Sequence, residues 1–300
     1  MAADERSRGD PRHRRRDHVR HLRGRRAVPA VPILHAIVLG IVQGLSEFLP
    51  VSSSGHLILV RWLFGWDELS GDTATAFDVA VHVGTLIGAA AYLRRDIATY
   101  VGAAVSPVLG RGPLGSDGRV AWSLAASAVP AGVVGVFAGD ALRDSDAVVP
   151  VALALIVFGL LLGASDRLAE RRSQQDFGIG HALAMGAGQA LALQPGVSRS
   201  GATMTVARAL GYSREAAVRL AFLMSLPVIA GAGVYGLIEL SVPAALWPAL
   251  AWGMVSSGIT GWVAVWGTTR IVSRASLQPF VVYRVLAGAA VLVLAATSWR

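Results

Sequence analysis

HAIVLGIVQGLSEFLPVSSSG, residues 35–55, returns in altered form as HALAMGAGQALALQPGVSRSG, residues 181–201. The two stretches align without a gap at an offset of 146, nearly half the chain. His35 and His181, Gly40 and Gly186, Gln43 and Gln189, and the closing Val-Ser-x-Ser-Gly all coincide. Each copy is an apolar run that breaks at a Pro and a Ser/Gly cluster. The copies differ in their chemistry. The first carries Glu47 and a trailing His56; the second carries Arg199 and Thr203. A carboxylate, an imidazole and a guanidinium thus come from two related halves, which points to one composite site where the repeats meet.

The surroundings of the repeat are oily. Hydrophobic residues make up 54% of the 300, mean hydropathy is +0.54, and charged residues are only 15%. An ordinary soluble domain carries about 25% charged residues, so the chain reads as a membrane protein. It has no cysteine, which excludes disulfide and thiolate chemistry. All 27 basic residues are Arg.

The first 26 residues hold ten Arg and four acidic residues, a net of +6. With almost nothing apolar to bury, residues 1–30 are expected to be a disordered Arg-rich tail. A polybasic membrane anchor, a nucleic-acid arm and a plain solvated extension are the readings open to it. The plain extension is preferred, and no nucleic-acid partner is expected.

A spanning helix needs roughly 20 apolar residues. Six stretches come close, at about 74–93, 120–141, 147–165, 216–238, 245–270 and 279–298. Residues 97–110 are apolar but short, and read as an interfacial or loop helix. The repeated segments, 33–49 and 180–194, are too short to cross. Each meets a Pro and a run of Ser before a second short helix, which suits a re-entrant hairpin. The fold expected is therefore an all-α polytopic membrane protein with two re-entrant hairpins and about six transmembrane helices. Its halves lie at about 33–166 and 179–298, within a membrane domain of residues 31–300. Three spans per half is an odd number, so the second half enters the membrane inverted.

Arg placement orients the body. Twelve Arg residues, from Arg94 to Arg274, collect on one face; the other has only Arg61, Arg143 and Arg300 once the tail is set aside. The positive-inside rule makes the first face cytoplasmic. The chain's N-terminus then falls outside, against the charge of its own tail.

Gln43 and Glu47 are four apart and share a helix face. An ionisable residue in an apolar segment is costly and usually functional. In Pro50-Val51-Ser52-Ser53-Ser54-Gly55-His56, Pro ends one helix and a Ser caps the next, whose N-terminus offers N–H groups to an anion. His56 suits acid, base or nucleophilic work near neutral pH. In Pro195-Gly196-Val197-Ser198-Arg199-Ser200-Gly201-Ala202-Thr203, the guanidinium of Arg199 suits a phosphate or carboxylate. Ser198, Ser200 and Thr203 add hydroxyls. Together these groups read as an anion site with an acid/base pair, to which phosphate chemistry fits well. Glu47 is also the carboxylate suited to a divalent cation bridging phosphate oxygens. Asp78, His82 and Arg284 lie in or near spans and are supporting residues at most; Asp78 and His82 are left outside the site.

QGLSEFLPVSSSGH followed by QPGVSRSGAT resembles the undecaprenyl-diphosphatase family, the bacitracin-resistance membrane phosphatases. The resemblance runs from about 33 to 298. It implies hydrolysis of undecaprenyl diphosphate to the monophosphate and inorganic phosphate, recycling the lipid carrier for peptidoglycan and conferring bacitracin resistance. It also implies a divalent cation, Mg²⁺ or Ca²⁺, and a multi-pass protein of the bacterial plasma membrane with its site open to the extracytoplasmic side. Glu47, His56, Ser53, Ser198, Arg199 and Thr203 stand at the family's functional positions, with Gln43, Ser52, Ser54 and Ser200 beside them. Gln43 stands where many members have Glu. Ser53, His56, Ser198 and a water all remain open as nucleophile. A lipid transporter or flippase, and a protein that binds the lipid diphosphate without cleaving it, are the alternatives. A homo-oligomer is compatible with the sequence.

Overall fold

The computed structural model describes residues 31–143, 147–239 and 242–297. The expected Arg-rich tail lies outside the described residues. The elements are α1 (Ile33–Phe48), α2 (Ser53–Phe64), α3 (Gly71–Tyr92), α4 (Arg94–Val108), α5 (Ser116–Ala126), α6 (Ala128–Arg143) and α7 (Val148–Asp166) in the first half. The second half has α8 (Ile179–Leu191), α9 (Arg199–Ala209), α10 (Arg214–Glu239), α11 (Trp247–Val272) and α12 (Gln278–Ala296). Two 3₁₀ turns, Gln174–Asp176 and Ala244–Leu246, complete the described elements, and no strand occurs among them.

Six stretches are long and apolar enough to cross a membrane: Gly71–Tyr92, Ser116–Phe137, Val148–Asp166, Arg214–Gly236, Ala244–Val272 and Gln278–Ala296. These are the six expected from hydropathy, shifted by a few residues. The second is not one continuous helix. It breaks at Ser127, because Pro130 has no N–H to give the Ala126 carbonyl and its ring crowds that turn. The short stretch expected at 97–110 forms α4, which buries none of its residues.

The packing is the same when the halves are exchanged. Hairpin helix α1 lies against α11, a span of the opposite half, and hairpin helix α8 lies against α5 and α6. Span α3 packs on α11 as α10 packs on α5 and α6, while α3 meets α10 and α7 meets α12. The halves therefore interlock. With a hairpin and three spans in each, the chain is an inverted-topology repeat.

Small residues allow the interlock. A Cβ on Gly40 or Gly44 of α1, or on Gly84 or Gly88 of α3, would collide with the α11 backbone. The α11 segment between them reads Gly253-Met-Val-Ser-Ser-Gly-Ile-Thr-Gly261. Close backbone approach of this kind is how helices associate where burial of oil against oil provides no drive. Gly186, the repeat partner of Gly40, would likewise collide with the Ser127 carbonyl at the break in the span.

The repeated His pair closes the hairpins at their bases. His35 stacks on Trp66 at 3.9 Å between ring centroids, and its Nδ1 is 3.2 Å from Glu68. His181 Nδ1 lies 2.7 Å from the Tyr212 hydroxyl. Trp66 and Tyr212 are themselves related by the offset of 146. Each hairpin thus begins at a His and ends at the aromatic ring that holds it.

Candidate active site at the hairpin tips

Both hairpins turn through a strained serine. Ser52 and Ser198 have φ of 77° and 75°, and are the only non-glycine residues with positive φ among the described residues. Each caps the following helix: Ser52 Oγ accepts from Gly55 N at 3.4 Å, and Ser198 Oγ from Gly201 N at 3.1 Å. Left-handed backbone is unfavourable for serine, and it recurs here at one position of each copy. The turn swings the first residue of each second helix, Ser53 in α2 and Arg199 in α9, toward the same point.

That point is the carboxylate of Glu47, which is 5% exposed. Ser53 Oγ donates to its Oε2 at 2.6 Å, and Gln43 Nε2 donates to the same oxygen at 2.8 Å. Arg199 Nη2 is 3.1 Å from Oε1. Burying a carboxylate is tolerable only with partners of this kind. Among the described residues, the Gln43 side-chain oxygen is buried without a hydrogen-bond partner, as are both polar side-chain atoms of its repeat counterpart Gln189.

A fourth group touches Glu47, and it is one that the sequence reading left out. His82, on span α3, places Nε2 3.3 Å from Glu47 Oε2. Its Nδ1 is 2.6 Å from the Asp78 carbonyl, one turn earlier. A carbonyl only accepts, so Nδ1 carries a proton and Nε2 faces the carboxylate. His82 thus belongs to the cluster. Its place as an ionisable residue in an apolar span is the available signal; the α3–α11–α1 interlock that brings it to Glu47 is not visible in sequence.

His56 is placed differently. It follows Ser53 by three residues on α2, but no hydrogen bond or ion pair among the described residues joins it to Glu47. Its Nδ1 lies 2.7 Å from the Ser52 carbonyl and so donates to it, leaving Nε2 to accept from the Tyr283 hydroxyl at 2.7 Å. The two rings stack at 5.6 Å. Tyr283 comes from α12, and no motif in the sequence marks it.

The remaining hydroxyls build the tips. Ser200 Oγ donates across the halves to the carbonyls of Leu49, at 3.0 Å, and Glu47, at 3.3 Å. It also lies 3.3 Å from Ser198 Oγ. Thr203, 1% exposed, returns its hydroxyl to the Arg199 carbonyl at 2.8 Å. Ser54 is half-buried. Ser52, Ser198, Ser200 and Thr203 are thus committed to holding backbone, while Ser53, Arg199, Glu47, Gln43 and His82 converge.

The donor set bears on the implied cation. Among the described residues no three His, Cys, Asp or Glu side chains group to hold a metal. Among the described residues, Glu47 is the carboxylate that the tip residues Ser53 and Arg199 contact. Mg²⁺ is commonly held by one or two carboxylates together with substrate phosphates. The residues present therefore fit a cation shared with a bound diphosphate.

The chain is similar to known proteins over most of its length. The model of the family described as "Bacitracin resistance protein BacA" matches residues 36–290. A Geobacter metallireducens protein named undecaprenyl-diphosphatase is 48% identical over 265 residues, covering 86% of this chain and 97% of that protein. Proteins of the same name from Geobacter sulfurreducens and Pelobacter propionicus are 46% and 43% identical. They cover 87% of this chain each, and 97% and 96% of their own lengths. The interlocked hairpins and the cluster around Glu47 thus sit in a chain that belongs to the bacitracin resistance protein BacA family.

Proposed function

We propose that this protein hydrolyses undecaprenyl diphosphate in the bacterial plasma membrane. The products are undecaprenyl phosphate and inorganic phosphate, and recycling of the carrier lipid is the basis of bacitracin resistance. The observation that carries the reading is the position of Ser53. Its hydroxyl donates to a buried carboxylate that also faces a guanidinium. A hydroxyl so placed is an activated nucleophile, and Glu47 is the base that takes its proton.

Ser53 Oγ attacks the terminal phosphorus. The bond from that phosphorus to the bridging oxygen breaks, and undecaprenyl phosphate departs. Glu47 gives the first proton up to solvent; water then attacks the phosphoserine and releases inorganic phosphate, while Glu47 accepts the water's proton and returns it to Ser53 Oγ. Arg199 exchanges part of its contact with Glu47 for the phosphate oxygens, where charge spreads in the transition state. His82 holds Glu47 in orientation. His56, with Nε2 directed at Tyr283, receives the leaving-group side of the diphosphate. A divalent cation, Mg²⁺ or Ca²⁺, would be held by Glu47 and by the diphosphate, and supplies charge neutralisation when bound. The loop Arg residues support a site open to the extracytoplasmic face.

Phosphate release from a polyprenyl diphosphate in detergent, with and without chelator, tests this reading. Release that is lost in Arg199→Ala protein of normal fold is expected. No release from the wild type, with lipid binding intact, would leave a transporter or a sequestering protein instead.

A further inference from the structure

Arg284 is a buried charged group that the reaction above does not use. It sits on span α12 and is 0% exposed. No carboxylate pairs with it among the described residues. All its described partners are backbone carbonyls. Nη1 donates to Pro50 O at 3.1 Å; Nη2 reaches Gly196 O at 3.0 Å and Val197 O at 2.9 Å. Nε donates to Leu155 O at 3.1 Å, and Nη2 also approaches Ala154 O at 3.4 Å. Pro50 is in the turn of the first hairpin, and Gly196 and Val197 are in the turn of the second. One guanidinium therefore spans both tips and ties them to α7.

The structure makes room for this group at some cost in side chains. A Cβ on Gly201 would lie 2.7 Å from Arg284 Nη1, and one on Gly159 would lie 3.0 Å from its Cβ. A Cβ on Gly55, the repeat partner of Gly201, would lie 3.3 Å from the Gly196 Cα. The tips are in direct contact, and Arg284 lies behind that contact. A buried charge without a counter-ion is expensive, and in an apolar span it is normally functional. A Met or Leu of similar size would fill the space at lower electrostatic cost.

We propose that Arg284 is a positioning residue for the phosphatase reaction. It fixes the separation of the two turns, and so the approach of Ser53 and Arg199 to one phosphorus. It also holds a fixed positive charge behind the place where phosphate binds. This rests on the phosphatase reading. The charge is uncompensated in the resting site and is balanced when the diphosphate arrives, which suits a preorganised electrostatic group.

The test uses the full chain in detergent with a polyprenyl diphosphate as substrate. Arg284→Ala is expected to lower kcat by roughly 100-fold, the scale for loss of one preorganised donor, while KM changes far less. Guanidinium ion is expected to restore part of that kcat, and urea, its neutral isostere, at equal concentration is not. A folded Arg284→Ala protein of near-normal kcat overturns the proposal. So does rescue by urea equal to that by guanidinium, which removes the role of charge. Loss of kcat that neither guanidinium nor Arg284→Lys relieves marks a merely structural arginine and overturns it too. If Arg284→Ala fails to fold, Arg284→Lys decides: it keeps the charge but lacks the planar fork. It should retain the fold with kcat well below the wild type, and a wild-type kcat sinks the bridging role. Failure of the wild type itself to release phosphate would strike the proposed function first.

Discussion

Ser53 and Arg199 occupy the same position of the repeat and hold opposite oxygens of one carboxylate. Ser53 Oγ is 2.6 Å from Glu47 Oε2, and Arg199 Nη2 is 3.1 Å from Oε1. In the proposed mechanism the duplicated turn is divided into a nucleophile and a charge stabiliser. If Ser53, Glu47 and Arg199 act as one unit, their losses will not add. Ser53→Ala and Glu47→Gln should each reduce kcat by about 10³-fold or more, and the double variant should be little worse than either. Multiplicative losses in phosphate release would separate the two residues. Rapid acid quench during turnover should trap phosphate on Ser53.

His82 meets Glu47 from a different helix, and the proposed mechanism gives it the task of orienting the carboxylate. His82→Gln keeps a donor at about the same reach, and His82→Leu removes it. The Leu variant should lose roughly 10- to 100-fold in kcat, less than the roughly 10²- to 10⁴-fold that the general base itself contributes. The Gln variant should recover most of that. Equal rates for the two variants would show that the Nε2 contact with the carboxylate does not matter.

The strained serines make a prediction about stability. At φ near 75° an L side chain is unfavourable, but the Ser52 and Ser198 hydroxyls cap α2 and α9. Ser→Gly loses the cap and relieves the strain, whereas Ser→Ala loses the cap and keeps it. Ala at either position should therefore be less stable than Gly by about 1 kcal/mol. Thermal unfolding of detergent-solubilised protein reads this directly, and the reverse order would show that the turns carry no strain.

Much of this was legible in the sequence, and the reasons are physical. The six spans follow from length and hydropathy, which report directly on transfer from water. The hairpins follow from Pro50 and Pro195 closing runs too short to cross. The meeting of Glu47 with Arg199 follows from the duplication, because matched turns in inverted halves converge. Partners supplied by other spans were less visible. His82 and Tyr283 are brought in by helix crossings, and nothing local to either residue records which crossing occurs. Arg284 reads in the sequence only as a supporting residue in or near a span, because its contacts are with carbonyls of three distant segments. Ser200 and Thr203 read as phosphate donors from composition. The structure spends their hydroxyls on backbone carbonyls, since buried polar groups of a turn need partners within the protein.

Tyr212 closes the base of the second hairpin, outside the spans, and gives a pH signature. Its hydroxyl donates to the Asp176 carbonyl at 3.1 Å and meets His181 Nδ1 at 2.7 Å. Burial pushes its pKa up to about 12 from the usual 10.0. The folded protein therefore binds this proton more tightly than the unfolded chain does. Between pH 10 and 12 the unfolded state loses its proton first, so stability falls as pH rises through that window. Below pH 10 the contribution is fully present. Tyr212→Phe removes both the hydrogen bonds and the titration. The variant should be less stable than the wild type at pH 8, and the gap should narrow as pH approaches 12. Melting temperatures of the two proteins across pH 8–12 measure it. A gap that stays constant would mean that the Tyr212 hydroxyl ionises alike in folded and unfolded chains, and that the hairpin base is open to water.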